Sequence, residues 1–167
     1  CRRLTLKPLS GGTVAELLSR YCPDAGDADV LARLGCGSIG RALSLAEEGG
    51  LALYHDLMGL LESLPELDPG ALHGLGQRAA KSDTAFRVLS DLVKEWLGRL
   101  ILFAADGARE GADAGETALM ARLSSGDLEP WLEVWDKVNR LLARADKQDR
   151  KQVVLNVFFT MERALRS

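Results

Sequence analysis

Most of the signatures by which a sequence announces its chemistry are missing from this chain. Its three cysteines, Cys1, Cys22 and Cys36, are odd in number and form no Cys-x-x-Cys pair. They spell out neither a disulfide framework nor a thiolate zinc site, and they read as reduced thiols of a cytosolic protein. Of its two histidines, His55 and His73 fall in different predicted helices. Neither stands at metal-ligand spacing from a cysteine or carboxylate, so both read as surface or boundary residues and no metal is expected. No GxxxxGK[ST] phosphate loop occurs, so the main machinery of any nucleotide chemistry would lie outside these residues. No apolar run reaches the roughly 18 residues a membrane span needs, and no signal peptide is evident. After residue 9 no segment alternates apolar and polar residues as a strand would. Repeats and low-complexity tracts are absent too. The chain opens on Cys1 and a strand-like run rather than on Met, which reads as a piece of a longer protein.

What is present is the composition of a soluble globular protein. The chain has 167 residues, 47% of them hydrophobic and 27% charged, enough for one domain or two small ones and against disorder. The net charge of −3 is unevenly spread: residues 51–139 carry −7 and residues 140–167 carry +4. That balance argues against nucleic-acid binding by bulk charge. The basic tail reads as a solvated helix surface, with phosphate contact as the other reading.

Apolar spacing predicts an almost wholly helical chain after residue 12. Leu4, Thr5 and Leu6 read as the end of a strand that Pro8 stops. Thr13 and Glu16 fit a capping box for a first helix reaching about Tyr21, with Pro23 beyond it. A second short helix is expected over about Asp27 to Leu34 and a third from Ser38 to about Glu48. Gly49-Gly50 is the expected boundary between this thin-cored three-helix unit and longer helices. One of those carries Leu53, Tyr54, Leu57, Met58 and Leu61, and a weaker one spans roughly Pro69 to Ala80. A long helix capped by Ser82 or Asp83 presents Leu89, Leu92, Val93, Trp96, Leu100 and Phe103, and ends near Gly107. Residues 107–115 read as a loop, followed by a short helix over about Glu116 to Leu123. Asp127 is the expected cap of the next helix, with the stripe Leu128, Trp131, Leu132, Trp135, Val138 and Leu142. The last helix runs from about Asp149 to Leu165, with Val154, Val157, Phe158, Met161 and Leu165 inward.

Four groups of residues invite a functional reading. In Gly37-Ser38-Ile39-Gly40-Arg41 the serine can cap exposed amides, Gly40 would let another backbone approach, and Arg41 projects from the first turn. A cation there opposes the helix dipole, so either an anionic ligand or partner meets it or it is a solvated arginine. Asp106, Glu110, Asp113 and Glu116 lack the spacing of a calcium loop and read as a solvated loop. Cys22 and Cys36 read as buried small hydrophobes rather than nucleophiles. Trp96, Trp131 and Trp135 fall on apolar stripes, where they are core residues or interface anchors.

The opening run Cys1-Arg2-Arg3-Leu4-Thr5-Leu6-Lys7-Pro8-Leu9-Ser10, the three-helix unit and Gly37-Ser38-Ile39-Gly40-Arg41-Ala42-Leu43 together resemble the bacterial DNA polymerase III delta-prime family. These are clamp-loader subunits of the AAA+ class. The likeness is most specific over residues 1–48 and rests on helix pattern alone over 49–167. It implies an all-α fragment: a lid of three helices over residues 1–48, with the last strand of a preceding domain at 1–9, then a helical collar over 49–167. Cys1 matches the cysteine of the family's Ser-Arg-Cys motif, so the arginine finger would lie upstream and Arg2 is not it. Ser38 and Arg41 match the sensor-2 position, a nucleotide contact in active relatives. Delta-prime subunits are often unable to hydrolyse ATP, which leaves Arg41 as a nucleotide contact, a relic of one, or a contact to the preceding domain.

The resemblance implies a non-enzymatic role for these residues within a DNA polymerase holoenzyme, a nucleotidyltransferase. They would hold the subunit in the pentameric, cytoplasmic loader that places a sliding clamp on primed DNA. Its partners would be the gamma/tau and delta subunits, with DNA and the clamp reached through the assembly and no membrane involved. No cofactor is implied here, and ATP only with the preceding domain. Trp96, Trp131, Trp135, Phe158 and Phe159 are the candidate anchors of a partner interface, being too many for one bundle core. The rivals are a gamma/tau-type ATPase subunit, which an upstream Walker lysine would favour, and a free-standing helical adaptor, which a start codon just before Cys1 would favour. A ligand-binding helical regulator would need an apolar pocket and a basic DNA-reading helix, and no such helix is seen.

Overall fold

A computed structural model describes residues 7–106, 114–124, 128–145 and 148–166. The fold is all-α: the described residues form nine helices and no strand. The predicted strand Leu4–Leu6 and the cap Asp127 lie outside the described residues. The chain divides into two compact units, residues 1–51 and 52–167.

The first unit holds α1 (Gly11–Tyr21), α2 (Ala28–Leu34) and α3 (Ile39–Glu47), all three packed on one another. Each starts at a polar cap, because the first amides of a helix have no partner within it. The cap of α1 is Ser10, whose Oγ accepts from the Thr13 amide at 3.2 Å. This corrects the expected capping box at Thr13. Thr13 lies inside the helix, its hydroxyl 2.8 Å from that of Ser10, and the weak helix formers Gly11 and Gly12 fill the first turn. Asp27 caps α2 through the amides of Asp29 and Val30, and Ser38 caps α3 through the amide of Arg41. Val14, Leu18, Leu31, Leu34, Ala42 and Leu45 make the core of this unit.

The connection from α2 to α3 turns on two residues in the left-handed region, Cys36 (φ 49°) and Gly37 (φ 78°). There the preceding segment closes on the turn: the Leu9 amide donates to the Gly37 carbonyl at 2.9 Å. A Cβ on Gly37 would stand 2.7 Å from the Leu9 carbonyl oxygen and 2.7 Å from Pro8 Cβ. The close backbone approach that the sequence suggested for Gly40 therefore belongs to Gly37. Among the described residues nothing lies within 4 Å of a Cβ placed on Gly40.

The second unit contains α4 (Gly50–Ser63, from Ala52 on), α5 (Pro69–Ala80), α6 (Asp83–Asp106), α7 (Ala114–Leu123), α8 (Glu129–Ala143) and α9 (Arg150–Leu165). Asp68 with Pro69 opens α5, Ser82 rather than Asp83 caps α6, and Asp149 caps α9. Helix α6, about 36 Å long at 1.5 Å per residue, packs against α5, α7 and α8, while α9 packs against α5 and α8. Its buried residues include Leu89, Leu92, Val93, Trp96, Leu97 and Leu100. The Trp96 ring meets the edge of Trp131 from α8, with centroids 6.4 Å apart and planes at 75°, a favoured aromatic geometry. The inward residues of α8 are Trp131, Val134 and Val138. The expected stripe through Leu132 is corrected: Leu132 is 46% exposed, because the partners α6 and α9 meet α8 on the side of 131, 134 and 138.

Two glycine substitutions separate backbone strain from helix propensity in the first unit. Gly37→Ala should destabilise it by about 1–3 kcal/mol, since its positive φ and the Leu9 backbone both resist a side chain. Gly40→Ala, inside α3 with open space around it, should stabilise by up to about 0.5–1 kcal/mol. Thermal unfolding followed by circular dichroism should place Gly37→Ala below the parent chain and Gly40→Ala at or above it.

Candidate functional site

In the first unit the residues of interest surround the α2–α3 turn. The fold places Ser38 at the cap of α3, with its hydroxyl already accepting from the Arg41 amide at 3.3 Å. Arg41 is exposed on the first turn of that helix, so the two residues meet at one helix start. Cys36, expected to be buried, is exposed in the same turn, and Cys22 is half-buried. Burial of Cys36 fails because its left-handed backbone turns the side chain out of the α2 and α3 faces that meet. Its thiol points back along the chain to the Arg33 carbonyl, 3.6 Å away. Cys1 lies outside the described residues.

In the second unit the five proposed anchor residues separate into two groups. Trp96 and Phe158 are fully buried and Trp131 is 2% exposed. They are core residues, and their reading as interface anchors is corrected on that ground. One six-helix unit does accommodate them, because α6, α8 and α9 converge where these rings lie. The Trp131 indole N–H also has an internal use, donating to the Leu123 carbonyl at 3.0 Å. Trp135 is half-buried and Phe159 is 43% exposed.

Trp135 stacks over Gly98 of α6, its ring 3.6 Å from where a glycine Cβ would stand. Asp91 and Lys94, nearer the start of α6, line one groove with Asn139 and Leu142, nearer the end of α8, so the two helices run antiparallel. Leu102 on α6, Leu132 on α8 and Phe159 on α9 are exposed, at 43%, 46% and 43%; with half-buried Trp135 they are the apolar candidates for an outward-facing role in this unit.

The charged residues are largely committed within the chain. The basic tail pairs with its own surroundings: Arg150 with Asp83 at 2.7 Å, Arg166 with Glu162 at 2.9 Å, and Arg140 with the Asp136 carbonyl at 3.1 Å. Lys151 lies 2.8 Å from the exposed His73. A groove of about 490 Å³ between α8 and α9 mixes Glu129 and Glu133 with Lys137 and Arg163. A second, of about 450 Å³ beside α6, mixes Asp83 and Asp91 with Lys94 and Arg150. Neither gathers one sign of charge, as a phosphate cradle would. Among the described residues no group of three or more His, Cys, Asp or Glu side chains could hold a metal, and no helix is long and apolar enough to cross a membrane.

The sequence missed one ionic cluster altogether. Glu116, expected at a helix start beside the loop and solvated with its acidic neighbours, is 0% exposed in the first turn of α7. Its Oε1 accepts from Arg99 Nη2 at 2.5 Å and its Oε2 from the Tyr54 hydroxyl at 3.1 Å. Arg99 also reaches Glu95 at 3.3 Å. Buried charges persist only when paired and hydrogen-bonded, and α4, α6 and α7 each supply a member of this set. Asp106 is exposed, while Glu110 and Asp113 lie outside the described residues. The one signal available was Arg99, a cation otherwise out of place beside the apolar stripe of α6.

Comparison with protein-family models, curated proteins and solved structures finds no match to this chain.

Truncating the aromatics measures their different surroundings. Trp96→Ala and Trp131→Ala should each cost about 3–5 kcal/mol, as large buried side chains do. Phe159→Ala should stay within about 0.5 kcal/mol, as surface substitutions do. Urea unfolding monitored by far-UV circular dichroism is the measurement, with Trp135→Ala falling between the two groups.

Proposed function

We propose that this chain is the lid and collar portion of a clamp-loader subunit of the delta-prime type, a structural part of the machinery that places a sliding clamp on DNA. The observation that carries the reading is the segment Gly37-Ser38-Ile39-Gly40-Arg41. Its serine caps a helix that presents an arginine from the first turn, within a unit of three short helices that precedes a unit of mostly longer ones. An arginine so placed suits an anionic group held by a neighbouring domain, and the helix start around it favours the same ligand. The long-helix unit would then serve assembly. On this reading exposed Leu102 and Leu132 and half-buried Trp135 are its candidate docking residues, the Trp being of the kind that dominates interface energetics. Lid, collar, cytoplasmic location and the gamma/tau and delta partners all belong to this proposal.

The test is co-elution with the purified collar region of a gamma/tau subunit from the same organism, with mass followed by light scattering. The proposal predicts a stable hetero-complex that Leu132→Asp or Trp135→Ala weakens at least about tenfold while far-UV circular dichroism is unchanged. A well-folded chain that forms no complex at high concentration would favour a free-standing helical adaptor instead.

A further inference from the structure

Helix α7 is held differently from its neighbours. It has ten residues and contributes Leu119, Met120 and Leu123 to the core, whereas α6 buries seven apolar side chains. A helix of that length is marginal by itself, so its docking decides whether it is formed. Polar contacts stand at both of its ends. At the start, the buried carboxylate of Glu116 takes Arg99 from α6 and the Tyr54 hydroxyl from α4. At the end, Arg122 reaches across to α4 and its last carbonyls. Its Nη1 donates to Leu64 at 2.8 Å, and its Nη2 to Glu62 at 2.9 Å and to Leu61 at 3.3 Å. They lie in the last turn and just past the end of α4, where a helix leaves carbonyls short of internal partners; that of Leu61 also accepts from the Leu64 amide at 3.3 Å. Beside them the Leu123 carbonyl accepts from the Trp131 indole of α8. Three helices are thus joined to α7 by directional bonds in addition to the three apolar side chains it buries.

From this arrangement we infer that α7 is a polar-latched flap, a segment that opens as a unit while α5, α6, α8 and α9 stay folded. The Glu116 and Arg122 bonds and the apolar contacts of Leu119, Met120 and Leu123 all belong to one ten-residue helix, so lifting it breaks them together and gives α7 two states, latched and open. The latched state hides the Tyr54 hydroxyl, the Trp131 indole N–H and the end of α4. The open state presents all three, and with them a surface that the closed molecule does not have. Low-stability segments of this kind are the ones proteins move when they bind or switch.

Hydrogen exchange of the 167-residue chain, read by mass spectrometry at peptide resolution, tests the inference. The amides of 116–124 should exchange at least about 100-fold faster than the slowest amides of α6 and α9, at a rate that rises with sub-denaturing urea, less steeply than for the slowest amides of α6 and α9, as an opening that exposes only part of the core requires. Glu116→Ala, which leaves the Arg99 guanidinium without its buried partner, should speed exchange in 116–124 by a further factor of about 100 or more and leave α5 and α9 unchanged. Arg122→Ala removes the second latch from an exposed position. It should give the same localised effect at about tenfold, and it decides the matter if Glu116→Ala fails to fold. Protection of 116–124 equal to that of α6 in the parent chain would overturn the inference. So would variants that speed exchange in all helices alike.

Discussion

The second unit depends on the meeting of Trp96 with Trp131. Trp96 sits in the middle of the longest helix, on the turn from which α6 reaches α8. An edge-to-face pair of indoles fixes both the distance and the rotation of the two helices, since only a narrow range of offsets keeps one ring's edge on the other's face. Two residues along, the bare backbone of Gly98 admits the ring of Trp135, so one glycine and three indoles fix how closely α6 and α8 approach. Helix α9 then closes the other side of α8 with Val157, Phe158 and Met161. Helix α7 is tied in by the Leu123 carbonyl and the Glu116 carboxylate. Burying an aromatic of this size contributes roughly 3 kcal/mol or more, which no surface ion pair of the tail can match at about 0–1 kcal/mol.

This arrangement changes what the aromatic residues can do. Five rings were available as anchors of an interface, and the fold uses three of them for its own core. What remains at the surface is smaller: half-buried Trp135, with exposed Leu102, Leu132 and Phe159. The first unit presents its chemistry in a different way. There the informative group is a capped helix start with an exposed arginine, held by a turn that Gly37 makes tight. The functional reading joins these two features, an arginine aimed from a small unit and exposed apolar residues on a larger one.

The helices were largely legible in the sequence because caps are local chemistry. Asp27, Ser38, Asp68 with Pro69, and Asp149 each accept from amides two or three residues on, a relation that spacing alone reveals. The first cap was misplaced because Ser10 and Thr13 both suit the role, and the two glycines between them argued against a helix that the Ser10 bonds nevertheless start. Tertiary facts were less legible. The inward face of α8 follows from which partners flank it, so Leu132 and Val134 could not be ranked by hydrophobicity. Glu116 looked like one more acid in an acid-rich stretch, and its burial depends on an arginine 17 positions earlier. Of the candidate site, Ser38 and Arg41 could be read from the chain alone, and the exposure of Leu102 and Leu132 could not.

The account rests on two tryptophans being internal and one being at the surface, and fluorescence of Trp135→Phe measures this directly. With Trp96 and Trp131 as the remaining indoles, emission should lie well to the blue of free tryptophan, and iodide should quench it only weakly. Emission at the wavelength of a solvated indole, quenched by iodide as readily as free tryptophan in a chain that circular dichroism shows to be folded, would contradict the core described here.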